Sequence, residues 1–253
     1  MTLDYHTLTD QLARVYSPRL ALRPVALADA WPLFQAARNP QFNAHLMWDQ
    51  PEDERAVLAR VDTIIDAAQR GRLAALSAVI KSTGEWVSLY RFQPHALVPS
   101  WVEMGIWTHD KFWQGHFSHE LTAACVDAAF SLSNVSTLIA AAAPNNLGSR
   151  KILERCGLTP ASLVFRRTES GTEVPLQEFC LTREQWKGLR GGVSFEQVPF
   201  VGSPGDILSP GSVPPKPVRH SAPLNTSVSA NTVAHALVFE QTTGSARRSH
   251  QAT

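Results

Sequence analysis

Between Val102 and Glu120 the chain reads VEMGIWTHDKFWQGHFSHE, an order of residue types suited to holding an anion. Met104 to Trp107 is apolar and strand-like. A polar turn follows, Trp113-Gln114-Gly115-His116 forms a loop around one small residue, and a helix opens near Ser118 and continues as LTAACVDAAF. The first N–H groups of a helix lack intrahelical partners, point one way and carry the positive end of the helix dipole. Gln114, Gly115, His116, Phe117 and Ser118 are therefore placed to face a phosphate, with a plain strand-to-helix connection as the alternative reading.

A second stretch repeats the pattern. Thr137 to Ala142 is a short apolar strand, Pro144-Asn145-Asn146-Leu147-Gly148-Ser149-Arg150 is a polar turn, and a helix ends at Arg155-Cys156-Gly157-Leu158. Asn146 reads as a helix cap or a ligand contact. Arg150 and Lys151 fall in a first turn, where the dipole disfavours cations, so Arg150 is either a phosphate partner or part of a solvated face. His109, His116 and His119 invite a metal reading, but no carboxylate or cysteine pattern completes a zinc site, and no metal is expected.

Several elements must carry these stretches. RLALRPVAL from Arg19 alternates like a half-buried strand. Asp29 is a plausible N-cap for AWPLFQAARN, and a longer amphipathic helix follows Pro51, with Val57, Val61, Ile64, Ile65 and Ala68 at helical spacing. Leu73 to Ile80 and Trp86 to Phe92 flank the turn-forming KSTGE, and Ser162 to Thr168 and Val174 to Leu181 flank ESGT, so each pair reads as a hairpin. The expected order is strand, two helices, three strands, helix, strand, helix, two strands.

Residues 1–18 read as an N-terminal arm or short helix and residues 19–187 as the domain. Residues 188–253, rich in Pro, Gly and Ser, read as a disordered tail, with Pro214-Pro215-Lys216-Pro217 as an alternative proline-rich ligand. The 253 residues are 44% apolar, enough for a real core, and their net charge of +1 argues for neither nucleic acid nor an anionic membrane as partner. Cys125, Cys156 and Cys180 form no close pair. With no secretory signal and no stretch of membrane-span length, the expected location is cytoplasmic. Monomer and dimer are both compatible with the sequence.

The arrangement resembles the GCN5-related N-acetyltransferase (GNAT) superfamily, and within it the branch that acetylates the N-terminal amines of ribosomal proteins. The resemblance rests on Pro144, Asn146, Ser149, Leu153, Glu154 and Gly157, and on Ser17-Pro18-Arg19-Leu20-Ala21-Leu22-Arg23-Pro24 through Asp29. It implies an α/β (α+β) fold, a mixed and mostly antiparallel sheet flanked by helices. It also implies acetyl-CoA as co-substrate and a primary amine, on a protein N-terminus or a small molecule, as acceptor. By the same resemblance the backbone of Ile106, Trp107 and Thr108 lines the pantetheine arm, Gln114 to Ser118 face the pyrophosphate, and Asn146 contacts the pantetheine or orders its loop, while Arg150 keeps the two readings given above. Ser149 matches the hydroxyl that protonates the leaving thiolate, and Glu103 is the candidate general base.

One departure stands out. Aligned on Trp113 and Glu120, the family's two glycines fall on Gln114 and His116, with Gly115 between them. A β-carbon at His116 is expected to crowd the phosphate cradle, so a catalytically inactive GNAT-like binding module is the alternative function.

Overall fold

The computed structural model describes residues 3–44, 47–95, 98, 100–132 and 134–190. The first eighteen residues hold a helix, α1 (Tyr5–Ala13), whose N-cap Asp4 accepts from the His6 N–H. Leu8 and Leu12, one turn apart, are fully buried in the main core together with Leu3 and Tyr5. At roughly 1.5–3 kcal/mol for each such leucine, this segment is part of the domain's core and not a free arm.

Strand β1 (Leu20–Pro24) leads through a 3-10 turn to α2 (Ala30–Ala37), the four-residue α3 (Pro40–Asn43) and α4 (Glu54–Gln69). Then come β2 (Ala74–Ile80), β3 (Trp86–Pro94), β4 (Trp101–Thr108), α5 (Phe117–Ser131), β5 (Thr137–Ala142), α6 (Leu147–Arg155), β6 (Thr159–Arg167), β7 (Glu173–Thr182) and α7 (Arg183–Leu189). The domain edge expected at residue 187 falls inside α7, and Trp186 of that helix packs in the core. Residues 191–253, where most of the expected tail and its proline-rich segment lie, are outside the described residues.

The strands form one seven-stranded sheet in the order β1-β2-β3-β4-β5-β7-β6. Both expected hairpins are present, β2 with β3 and β6 with β7. Every pairing is antiparallel except β4 with β5. Alternation along the strands divides two cores. Tyr90, Phe92, Val102 and Met104 join the core that contains α1 and α5. Leu89 and Ala75 join the core that contains α2 and α4, with Trp107 packed against it.

The role expected of Asp29 is corrected. Its carboxylate makes no cap bond to α2. It is buried and accepts from Arg23 Nη1 and Nη2 at 2.9 and 2.5 Å, from Ser77 Oγ at 2.7 Å and from the Ala26 N–H at 2.8 Å. Arg23 on the neighbouring strand competes for the same oxygens, and a guanidinium fork outbids a single amide. The bond to Asp29 holds the Arg23 pKa above its ordinary value, against the effect of burial.

Candidate functional site

The single parallel pairing makes the site. β4 and β5 are in register only at Trp101 with Thr137, Val102 with Leu138 and Glu103 with Ile139. Beyond Glu103, β4 continues to Thr108 still paired to β3, while β5 continues to Ala142 paired to β7. The sheet therefore forks, and Glu103 stands at the fork. Among the described residues, Gly105, Ile106, Trp107 and Thr108 have no strand partner on the edge that faces the opening.

At the open end of the fork lies the N-terminus of α5. His109 and Phe112 begin a 3-10 turn over Asp110–Gly115, and His116 then turns the chain into α5. His116 sits at φ 57°, ψ 13°, and among the described residues it alone has a positive φ without being glycine. The left-handed turn is thus made with a histidine in place of the family's glycine, one of the residue types that tolerate it best. The neighbouring Gly115 is needed for space: a β-carbon there would lie 2.5 Å from the Phe117 ring.

Among the described residues no side chain caps α5. Glu120 N is the first amide to bond back, to the His116 carbonyl at 3.2 Å, so the N–H groups of Phe117, Ser118 and His119 lack intrahelical partners. Around them Thr108 Oγ1 and Ser118 Oγ lie 2.8 Å apart, and Trp113 Nε1 donates to the Thr108 carbonyl at 2.9 Å, joining the end of β4 to the loop. An uncapped helix start at the mouth of a forked sheet fits the pyrophosphate and extended arm of acetyl-CoA.

Two residues absent from the expected site hold this loop. Arg19 Nη2 donates to the Gly115 carbonyl at 3.0 Å, and its guanidinium lies 4.0 Å from the Phe117 ring centroid. Glu120 accepts from Ser17 Oγ at 2.5 Å, from the Arg19 N–H at 3.1 Å and from Arg19 Nε at 2.8 Å. Burial alone would raise the Glu120 pKa. The Ser17 hydroxyl and the Arg19 donors outweigh it and hold this carboxyl below its ordinary value.

The other expected residues fall around the fork. Asn146 is the N-cap of α6, its Oδ1 accepting from the Ser149 N–H at 3.1 Å. Ser149 Oγ has no hydrogen-bond partner among the described residues. Arg150 turns back on its own loop and donates from Nη1 to the Pro144 carbonyl at 3.0 Å, while its Nε is buried and unpaired. Ile106 packs against the core beneath α5, and the Trp107 side chain lies on the opposite face, stacked on Trp48 at 5.2 Å. These two residues reach the gap between the strands with backbone only.

Glu103 is not a lone carboxylate. Its Oε1 pairs with Arg166 Nη1, and its Oε2 accepts a longer bond from Gln93 Nε2 at 3.3 Å. Arg166 also donates from Nη2 to Glu178 at 3.0 Å. Burial would lower the Arg166 pKa, but the two carboxylates raise it above its ordinary value. Cys125 is buried on α5, where burial pushes its thiol well up, and burial also takes the Cys156 thiol up to about 12, which disfavours the reactive thiolate at both. Among the described residues no group of three or more His, Cys, Asp or Glu side chains is placed to hold a metal ion, and no helix is long and apolar enough to cross a membrane.

Residues 19–159, more than half of the chain, match the Acetyltransferase (GNAT) domain family. The protein therefore belongs to the GNAT acetyltransferases, and its enzyme class is acetyl-CoA-dependent acyltransferase. Among curated proteins it is similar to an uncharacterized N-acetyltransferase, p20 of Bacillus licheniformis, with 22% identity over 175 residues, 69% of this chain and 98% of that one. Among solved structures it superposes on RimJ of Mycobacterium smegmatis in complex with CoA-disulfide, at a TM-score of 0.55 and 18% identity, covering 68% of this chain and 89% of that one. It also superposes on a GNAT-family acetyltransferase from Bacillus anthracis, at a TM-score of 0.57 and 14% identity, covering 67% and 98%.

Proposed function

We propose that the protein transfers an acetyl group from acetyl-CoA to a primary amine, on a protein N-terminus or a small molecule, by direct attack of the amine. The observation that carries this reading is the fork of β4 and β5 running into the uncapped start of α5. The similarity to p20, which is named an N-acetyltransferase, supports an amine acceptor.

Acetyl-CoA supplies the activated thioester carbonyl; the remaining work falls to this chain. The N–H groups of Phe117, Ser118 and His119, with the loop Gln114–His116, hold the pyrophosphate. The backbone of Ile106, Trp107 and Thr108 lines the arm, and Asn146 and Arg150 border it from α6. Glu103, at the closed end of the fork, takes a proton from the incoming ammonium through the oxygen bonded only to Gln93. Ser149, with its hydroxyl unengaged, donates to the departing sulfur.

The test is binding followed by turnover. Saturating acetyl-CoA should raise the melting temperature, since a ligand at a hundred times its Kd stabilises the native state by about 2.7 kcal/mol. Addition of an amine should then release thiol. No melting shift at millimolar acetyl-CoA would overturn the reading. A shift without thiol release from any amine would favour the binding-only module, for which the pairing of Glu103 with Arg166 is the supporting feature.

A further inference from the structure

On the α2/α4 face of the sheet, three arginines surround the fork. Arg60 of α4 pairs with Glu169 at 2.5 Å and lies 4.4 Å from the Trp48 ring centroid. Arg166 of β6 pairs with Glu103 and Glu178. Arg91 of β3 makes no hydrogen bond or ion pair among the described residues. Its guanidinium lies 5.5 Å from the Trp107 ring centroid, on the Trp48–Trp107 stack. Arg91 thus keeps five N–H donors without an acceptor among the described residues. The unmet groups are all donors, so the site calls for acceptor oxygens.

There is room for them. Arg91 lies directly across from Gly105, in the same register that sets Gln93 against Glu103 and Leu89 against Trp107. Nothing lies within 4 Å of where a Gly105 β-carbon would be. The bare position is flanked along β4 by Glu103 and Trp107 and begins where β5 leaves. Burial pushes the Arg91 pKa down; Glu103 pulls it up, and Arg60 and Arg166 lower it further. A guanidinium disfavoured in this way gains from an incoming anion, which it can bind through two parallel bonds.

We propose that the space over Gly105 receives a carboxylate carried by the amine acceptor and bound by Arg91. The acceptor class is then an amine with an acid group a few bonds from the reacting nitrogen, either a free amino acid or a chain whose first residue is acidic. Side chains two apart on one strand stand roughly 7 Å from each other, so an ammonium at Glu103 and a carboxylate over Gly105 fit one small molecule. The proposal rests on reading the fork as the acetyl-transfer site.

The experiment uses matched pairs on the full chain: glutamate against glutamine as free amino acids, each also as its α-amide, and tripeptides beginning with Glu or Gln. Thiol release from acetyl-CoA gives KM for each, and melting shifts with the acceptor alone report binding without turnover. The acid member of at least one series should show a KM at least tenfold lower and the larger melting shift. Which series responds, the α-amides or the tripeptides, tells a free amino acid from an acidic N-terminus. Arg91→Gln should abolish the preference and Arg91→Lys should keep part of it. Gly105→Leu, which fills the space from the opposite strand, should melt near the wild type and lose the acid-induced shift. Equal KM and equal shifts for acid and amide in the wild type, or a preference that survives both Arg91→Gln and Gly105→Leu, would overturn it. If acetyl-CoA binds but no amine is acetylated, the transfer reading fails separately, and the acid-against-amide melting shifts still decide the Arg91 site.

Discussion

Arg19 donates to the carbonyl oxygen of Gly115 at 3.0 Å, across 96 positions of the chain. In a trans peptide the carbonyl and the following N–H point opposite ways, so fixing the Gly115 oxygen aims the His116 N–H away from Arg19. The same guanidinium reaches Glu120 in the first turn of α5, so one side chain sets both the loop and the helix that follows. Arg19→Ala should lower the melting temperature and weaken acetyl-CoA binding by about five- to tenfold, the scale of one or two such bonds. Arg19→Lys should rescue little, because an ammonium cannot span both acceptors. Calorimetric titration with acetyl-CoA checks both.

His116 already occupies the left-handed conformation that the turn into α5 requires. His116→Gly should shift stability by no more than about 1 kcal/mol, because relief of the left-handed strain is offset by a more flexible unfolded chain. Its acetyl-CoA Kd should change by less than about threefold, since the N–H groups at the start of α5 are unchanged. His116→Val should destabilise by roughly 1–2 kcal/mol, a β-branched residue being poorly suited to φ near 57°. Denaturant melts of the three proteins separate these outcomes.

Acid should unlock the Arg19–Glu120 junction. The folded-state pKa of Glu120 lies below its ordinary value of 4.5. Between those two values the unfolded chain binds more protons than the folded one, so stability is present above 4.5 and is lost as pH falls through the depressed value. Glu120→Gln should therefore flatten the stability profile below pH 4.5 and leave its shape above neutral pH unchanged. Urea melts from pH 3 to pH 7 provide the test.

Removing the Asp29 carboxylate leaves four donors unmatched, from Arg23, Ser77 and the Ala26 amide. Asp29→Ala should cost about 2–4 kcal/mol, the scale for breaking a buried pair on one side. Asp29→Asn should cost less, and neither should change the acetyl-CoA Kd of the folded fraction, which reads the loop and α5 instead.

Glu103→Gln should lower kcat by about a hundredfold and leave acetyl-CoA affinity unchanged, as removal of a general base requires. An unchanged kcat would show that the amine arrives neutral and that Glu103 serves only as a partner of Arg166.

The strands and hairpins were legible because alternation and turn residues are local signals: KSTGE and ESGT lie between the strands they were expected to join. Asn146 was legible as a cap for the same reason. Arg19, Glu120, Arg91 and Arg166 were not, because each acquires its meaning from a partner far away in sequence. One trace was available for Arg91, a charged residue inside the otherwise apolar strand WVSLYRF, at a position that alternation assigns to the same face as Leu89. Asp29 misled for the opposite reason: its local pattern is that of an N-cap, and Arg23, at the end of the strand just before it, takes the carboxylate instead.

The fork leaves one half of the sheet joined to the other by three rungs of β4 and β5. On the proposed reading, a pantetheine chain in the gap would supply the edge partners that β4 lacks among the described residues beyond Glu103, and the sheet would be completed by its own reagent. Its resistance to proteolysis and to amide exchange along Gly105–Thr108 should then follow the supply of acetyl-CoA, linking the lifetime of the protein to the metabolic state that feeds its reaction.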